Sequence, residues 1–164
     1  MIEQRADQRS GQREWLPNDE CPVAQTLEIV GERWSLLVLR ESFLATRRFE
    51  DFQRNTGCAR NILSDHLGKL VGHEILKRRR YQDRPPRYEY RLTEKGMELY
   101  PILLAVMQWG ERYIAPERER SVVLTHKVCG HGTDPRLECS HCGEPVTARE
   151  MIARRGPGAI GATA

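Results

Sequence analysis

Apolar positions between residues 21 and 113 recur every three or four residues, then every second residue, then every three or four again. That order predicts helices, a hairpin, and more helices. Cys21-Pro22 opens the first helix, because proline suits the first helical position. Val23, Leu27 and Val30 carry its buried stripe, and Gly31 stops it. "ERWSLLVLRESFL" is a second helix, apolar almost all round, and is expected at the centre of the core. "RRFEDFQRN" is a short third helix burying Phe49 and Phe52, closed by a Thr56-Gly57 turn. A fourth helix from about Arg60 to Val71 places Leu63, Leu67 and Leu70 on one face.

The period then shortens to two. Ile75 to Tyr81 and Arg87 to Leu92 read as strands joined by "QDRPPR", with Tyr88, Tyr90 and Leu92 alternating against Arg87, Glu89 and Arg91. Prolines at the tip forbid further strand pairing there. Thr93 caps a short helix, and Pro101 starts or kinks a longer one ending near Tyr113. That last helix carries Ile102, Leu103, Val106, Met107, Trp109 and Tyr113, more apolar surface than a hairpin can cover. Such a patch marks a partner surface, the alternative being that the helix folds onto its own domain.

Composition changes little in this picture. Of the 164 residues, 39% are apolar and 30% charged, an ordinary globular balance. Residues 1–19 are polar and aperiodic and are expected to be disordered, as is the Gly/Ala-rich tail 153–164. No run approaches a membrane span and no signal-peptide core is evident, so the expected compartment is the cytoplasm. No internal repeat is evident.

Charge matters more. The chain is formally only +3, yet residues 59–91 hold nine Lys/Arg against four acids, more net charge than the whole. A local excess of this kind suits a polyanion, or, taken alone, a merely solvated charged face. The opposite face of the fourth helix offers Arg60, Asn61, Ser64, Asp65 and Lys69, polar groups able to reach base edges or phosphates. A helix, a tight glycine turn and a second amphipathic helix form a helix-turn-helix. Arg78, Arg80, Arg84 and Arg87 of the hairpin would grip the adjacent backbone or the minor groove. The fold expected is mainly α with a small β-hairpin wing, a winged helix-turn-helix, over residues 20–117.

Ordered motifs point the same way. They are Cys21-Pro22, Gly31-x-x-Trp34, Arg47-Arg48-Phe49-x-x-Phe52, Leu63-Ser64-x-x-Leu67, Tyr88-x-Tyr90-x-Leu92-Thr93-x-x-Gly96 and Trp109-Gly110. Over roughly residues 21–115 the chain resembles the HxlR-type family of bacterial winged helix-turn-helix transcriptional regulators. It departs from that family at Cys58-Ala59, where an isoleucine and then a serine are usual; alanine removes the hydroxyl N-cap of the fourth helix, worth about 0.5–2 kcal/mol. The resemblance implies a homodimer with two recognition helices about one DNA turn apart, a palindromic double-stranded operator, and repression as the usual mode.

Two cysteines in this region have open roles. Cys21 lies at a helix N-cap, where amides and the macrodipole favour thiolate, while Asp19 and Glu20 oppose it. The resemblance adds a redox or electrophile sensor near this position; a buried, inert thiol is the alternative. Cys58 is expected to pack as an apolar residue.

Residues 121–152 form a different kind of segment. His126-x-x-Cys129 and Cys139-x-x-Cys142 are two chelating pairs, each followed by glycine. They read as a small zinc-ribbon-like extension with a closed, structural Zn site. His131 or His141 could replace His126, and a redox dithiol at Cys139/Cys142 or a loosely ordered tail are the competing readings. No phosphate-binding glycine loop or nucleophile motif appears, so no enzyme is expected. The rival function is a winged-helix protein–protein adaptor with a structural zinc module.

Overall fold

The computed structural model describes residues 21–114 and 122–153. Both tails expected to be disordered lie outside the described residues, apart from Ala153. The elements are α1 (Pro22–Val30), α2 (Arg33–Phe43), α3 (Phe49–Thr56), α4 (Arg60–Gly72), β1 (Leu76–Gln82), β2 (Arg87–Leu92), α5 (Glu94–Met97) and α6 (Tyr100–Tyr113). The architecture is mainly helical with one antiparallel hairpin, the winged-helix arrangement.

Helix α2 is central, as its all-round apolar pattern predicts, and touches α1, α3, α4, α6 and β2. The core gathers Val30, Val38, Leu39, Phe52, Cys58, Leu63, Leu67, Leu70, Ile75 and Leu76. The three leucines of α4 are all fully buried, so its opposite face is turned outward. The interior of α2 is more polar than the sequence suggests. Ser35, Glu41 and Ser42 are buried along with Val38 and Leu39. Each has a partner, because an unsatisfied buried polar group costs about 1–3 kcal/mol. Ser35 Oγ lies 2.9 Å from His66 Nδ1, and Ser42 Oγ donates to the Val38 carbonyl at 2.8 Å. Glu41 accepts from Arg40, Thr46 and Asn55.

The turn between α3 and α4 is set by Gly57, whose φ of +69° closes α3 in the left-handed conformation that glycine tolerates best. Helix α4 then begins at Arg60 with Ala59 as an N-cap that makes no side-chain bond, as the missing hydroxyl implies. The hairpin pairs Leu76 with Leu92 and Arg78 with Tyr90, with an irregularity between Arg80 and Gln82. The strands run one residue later at β1 than the sequence suggests. Arg47 and Arg48, expected inside the third helix, instead precede it, Arg48 as its N-cap in extended form. Tyr90 N–H donates to the Arg47 carbonyl at 2.8 Å, and Arg48 bridges Glu89, so this short segment edges the wing.

Thr93 caps α5 as expected: its hydroxyl accepts from Gly96 N–H at 3.0 Å and donates to the Glu74 carbonyl at 2.6 Å. Helix α6 has Pro101 in its first turn and buries no residue completely. Val106, Trp109 and Tyr113 are all more than half exposed.

The segment 122–153 contains a backbone repeat that the sequence conceals. Thr125 bridges Gly132, and Glu138 bridges Pro145, each pair enclosing a tight turn. A shift of thirteen positions superimposes the hydrogen bonds of one turn on those of the other. The repeat shares a leucine, a cysteine and a glycine at matched positions, too few identities to stand out in so short a stretch.

Candidate nucleic-acid interface

The burial of Leu63, Leu67 and Leu70 dictates what α4 shows to solvent. Arg60, Asn61, Ser64 and Asp65 are all exposed on the first turns of the helix. Arg60, Asn61 and Ser64 share a shallow concavity with Phe49 of α3 and Tyr90 of β2. The recognition helix and the wing therefore face one space. The Arg60 guanidinium lies 4.9 Å from the centre of the Phe49 ring, a cation–π contact that orients it while leaving its N–H groups available. The first turn of α4 holds no acidic residue and has no side-chain cap, so its free amides remain open to an anion.

Lys69 is placed differently from the other α4 candidates. It sits in the last turn, and its Nζ is 2.6 Å from Glu32 Oε1 at the start of α2. That bond, followed by the Lys69 charge, holds the Glu32 carboxyl below its usual range. His66 Nε2 lies 3.6 Å from the other Glu32 oxygen. The three residues brace the C-terminal half of α4 against α2. The sequence does not signal this role for His66: its partners lie thirty or more residues away, and nothing in its local pattern marks it.

The wing arginines divide similarly. Arg84 and Arg87 are exposed at the tip. Arg78 lies 3.6 Å from the Tyr88 ring centre, so it is stacked across the hairpin. Arg80 is folded back on the tip, with Nη2 2.8 Å from the Asp83 carbonyl and Nε 3.2 Å from Asp83 Oδ1. It stiffens the loop. Arg48, not among the sequence candidates, stacks over Tyr81 at 5.1 Å and adds a cation beside the wing.

Glu41 fixes the angle between α2 and the α3–turn–α4 unit. Its oxygens receive Arg40 Nη2 at 2.8 Å, Asn55 Nδ2 at 2.8 Å and Thr46 Oγ1 at 3.1 Å. Burial is the largest single influence and pushes its pKa up. The bonds from Asn55, Arg40 and Thr46 together outweigh it and leave the carboxyl below its ordinary value. Cys58 is buried among core residues, and burial raises its thiol pKa. Cys21 is half-buried at the N-cap of α1 and is a free thiol.

In the C-terminal segment Cys129 Sγ lies 3.5 Å from His126 Nδ1. The amides of Cys142 and then His141 donate to the Cys139 sulfur and hold that thiol below its usual range. His131 Nδ1 is 2.7 Å from the Cys129 carbonyl oxygen. Among the described residues, no three His, Cys, Asp or Glu side chains are gathered where they could share a metal ion.

A recognition helix, a tight turn and an arginine-bearing wing that share one face define a winged helix-turn-helix protein. Residues 29–118 match the family model described as HxlR-like helix-turn-helix. The chain belongs to the HxlR-like helix-turn-helix family and is an HTH-type transcriptional regulator, not an enzyme. It is 46% identical over 136 residues to the HTH-type transcriptional regulator Mb3122 of Mycobacterium bovis, an alignment covering 83% of this chain and 86% of that one. Among solved structures it resembles the candidate transcription factor PA1607, with 37% identity, a TM-score of 0.74, and 84% and 96% of the two chains covered. It also resembles the redox regulator HypR in its oxidised form, at 33% identity and a TM-score of 0.53, covering 62% of this chain and all of that one. No helix among the described residues is long and apolar enough to cross a membrane.

Proposed function

We propose that the protein is a dimeric, sequence-specific repressor that inserts α4 into the major groove of a palindromic operator and grips the flanking backbone with its wing. The observation that supports this most is the shared face of Arg60, Asn61, Ser64 and the wing beside Tyr90. Asn61 and Ser64 are the base readers: short polar side chains on the first turns of a helix whose other side is anchored in the core. Asp65 borders them and disfavours close phosphate approach on its side. Arg60, Arg84 and Arg87 are the phosphate contacts. Lys69 and Arg80 act chiefly by holding the helix and wing in place, since each is already ion-paired, whereas Arg78, stacked on Tyr88, keeps its N–H groups available and joins the phosphate contacts.

Dimerisation is supported by α6 together with α1. Val23 and Leu27 are exposed on α1, and with Ile102 and Val106 of α6 they border an apolar groove. A second copy covering this face would remove that surface from water and set two α4 helices about one DNA turn apart. Cys21 lies in the N-terminal turn next to the same groove. Its oxidation by a peroxide or alkylation by a quinone would add a polar or bulky group beside the dimer face and thereby tune DNA affinity. The similarity to a protein named as a redox regulator supports this reading.

Operator binding by purified protein, titrated with salt, tests the assignment. Asn61→Ala and Ser64→Ala should relax sequence preference, whereas Arg84→Ala and Arg87→Ala should weaken all duplexes alike and each lower the salt slope by about 0.9. Unchanged DNA binding in all four variants would favour the adaptor function instead. Peroxide or quinone treatment should alter operator affinity of the parent protein but not of Cys21→Ser; equal responses would remove Cys21 from the mechanism.

A further inference from the structure

Residues 122–153 form regular structure without a core to hold it. Only Leu124, Pro135 and Cys139 are even half-buried; Val128 and Leu137 stand 88% and 69% exposed. A chain segment of this length cannot bury enough apolar surface to order itself, and a crosslink or a metal ordinarily substitutes. Yet the segment contains two well-formed turns of identical design.

The identity is in the hydrogen bonds. In the first turn His126 N–H donates to the His131 carbonyl at 2.9 Å, and Gly130 N–H donates to the His126 carbonyl at 2.8 Å. In the second, Cys139 N–H donates to the Glu144 carbonyl and Gly143 N–H to the Cys139 carbonyl, both at 2.8 Å. Outside each turn, Thr133 pairs back to Leu124 as Val146 pairs back to Leu137. Gly130 and Gly143 both have positive φ, +72° and +77°. The correspondence maps His126 onto Cys139 and Cys129 onto Cys142. It maps His131 onto Glu144 and Val128 onto His141, so neither of those histidines occupies a repeated donor position.

Each turn presents two soft donors on one side. Two ligands of a tetrahedral zinc ion, with Zn–S of about 2.3 Å and Zn–N of about 2.0–2.1 Å, stand about 3.6 Å apart. Cys129 Sγ and His126 Nδ1 are 3.5 Å apart. The glycine after each pair, with its positive φ, allows the backbone to turn under the donors.

We propose that these two turns are the halves of a structural zinc site with His126, Cys129, Cys139 and Cys142 as its four ligands. Each pair is formed separately in the structure, and one zinc ion joining the two would supply the crosslink that the missing core does not. Binding releases the thiol protons, and four protein donors leave no open position for catalysis. His126 rather than His131 is assigned because the repeat matches His126 with Cys139, while His131 matches Glu144. The segment is tied to the helix of the apolar face through Gln108 Nε2, which donates to Asp134 Oδ1 and to the Pro135 carbonyl, both at 2.8 Å.

The test is metal analysis of the purified full-length chain. Elemental analysis should find about one zinc per chain. Replacing zinc with cobalt(II) should give the strong visible bands of a tetrahedral site and a near-ultraviolet thiolate-to-cobalt charge-transfer band. Cys129→Ser and Cys139→Ser should lose the metal; His131→Ala and His141→Ala should keep it. His126→Cys should also keep it, with a stronger charge-transfer band from a fourth thiolate, so the ligand assignment does not depend on a variant that fails to fold. Parent protein that is metal-free and takes up neither zinc nor cobalt would overturn the proposal. A Cys139–Cys142 disulfide in the parent, seen as a mass deficit of two hydrogen atoms, would overturn it as well. Metal retained in Cys139→Ser, or lost in His131→Ala, would refute the ligand set.

Discussion

Glu41 offers a quantitative test of how the DNA-reading unit is held. Its carboxylate is 6% exposed and receives bonds from three side chains, linking the end of α2 to the loop before α3 and to α3 itself. Glu41→Ala removes all of them. The Arg40 pair contributes little, about 0.5 kcal/mol, because the arginine is 44% exposed and regains water. The bonds from Asn55 and Thr46 to a charged oxygen contribute about 1–1.5 kcal/mol each after the same discount. Loss of one buried methylene adds about 0.8 kcal/mol, and relief of the carboxylate's desolvation offsets a similar amount. The expected net loss is therefore about 2.5–3.5 kcal/mol. Urea unfolding at pH 7 should show a midpoint lowered by about 1 M or more with an unchanged slope.

The pH dependence supplies the sign. The Glu41 carboxyl is held below its usual value of 4.5 when folded. Its stabilisation is present above the unfolded-state value and is lost as pH falls through the lower folded value. The stability gap between the parent protein and Glu41→Gln should therefore be full at neutral pH and should shrink below pH 4.5. A Glu41→Ala loss under about 0.5 kcal/mol, or a Gln gap that stays constant through the acid range, would refute the reasoning.

Three further outcomes follow from named contacts. Gly96→Ala should destabilise by about 1–3 kcal/mol in thermal unfolding, because the added methyl would overlap the Ile75 carbonyl oxygen and crowd Leu92. Native-state alkylation followed by mass spectrometry should label Cys21 well before Cys58, which is 2% exposed and has a raised thiol pKa. Val106→Glu should leave the melting temperature nearly unchanged but shift the protein toward monomer in analytical ultracentrifugation, since Val106 is half exposed on the apolar groove.

Much of this fold is legible in local pattern. Leu63, Leu67 and Leu70 recur at helical spacing because one side of α4 is buried, and that same burial exposes Asn61 and Ser64. The hairpin shows in the alternation of Tyr88, Tyr90 and Leu92 and in the proline-stiffened tip. What pattern does not carry is any interaction between distant polar residues. His66 with Ser35, Lys69 with Glu32 and Asn55 with Glu41 are pairs that only tertiary packing brings together. For that reason the sequence presents Lys69 as a surface cation ready for phosphate and carries no sign of the bracing role of His66. The sequence neighbours of Arg48 favour a helix, whereas pairing with Glu89 holds it in extended form. The chelating pairs of the C-terminal segment are visible as spacing, but their equivalence shows only in the backbone bonds.

The most direct measurement is selection of random DNA duplexes by the purified protein, run in parallel with Asn61→Ala. If the exposed side of α4 reads bases in the groove, the parent protein will enrich a palindrome with half-sites about ten base pairs apart. The variant will then lose preference at one position in each half. Enrichment of no sequence by the parent, or an identical consensus from both proteins, would contradict the account.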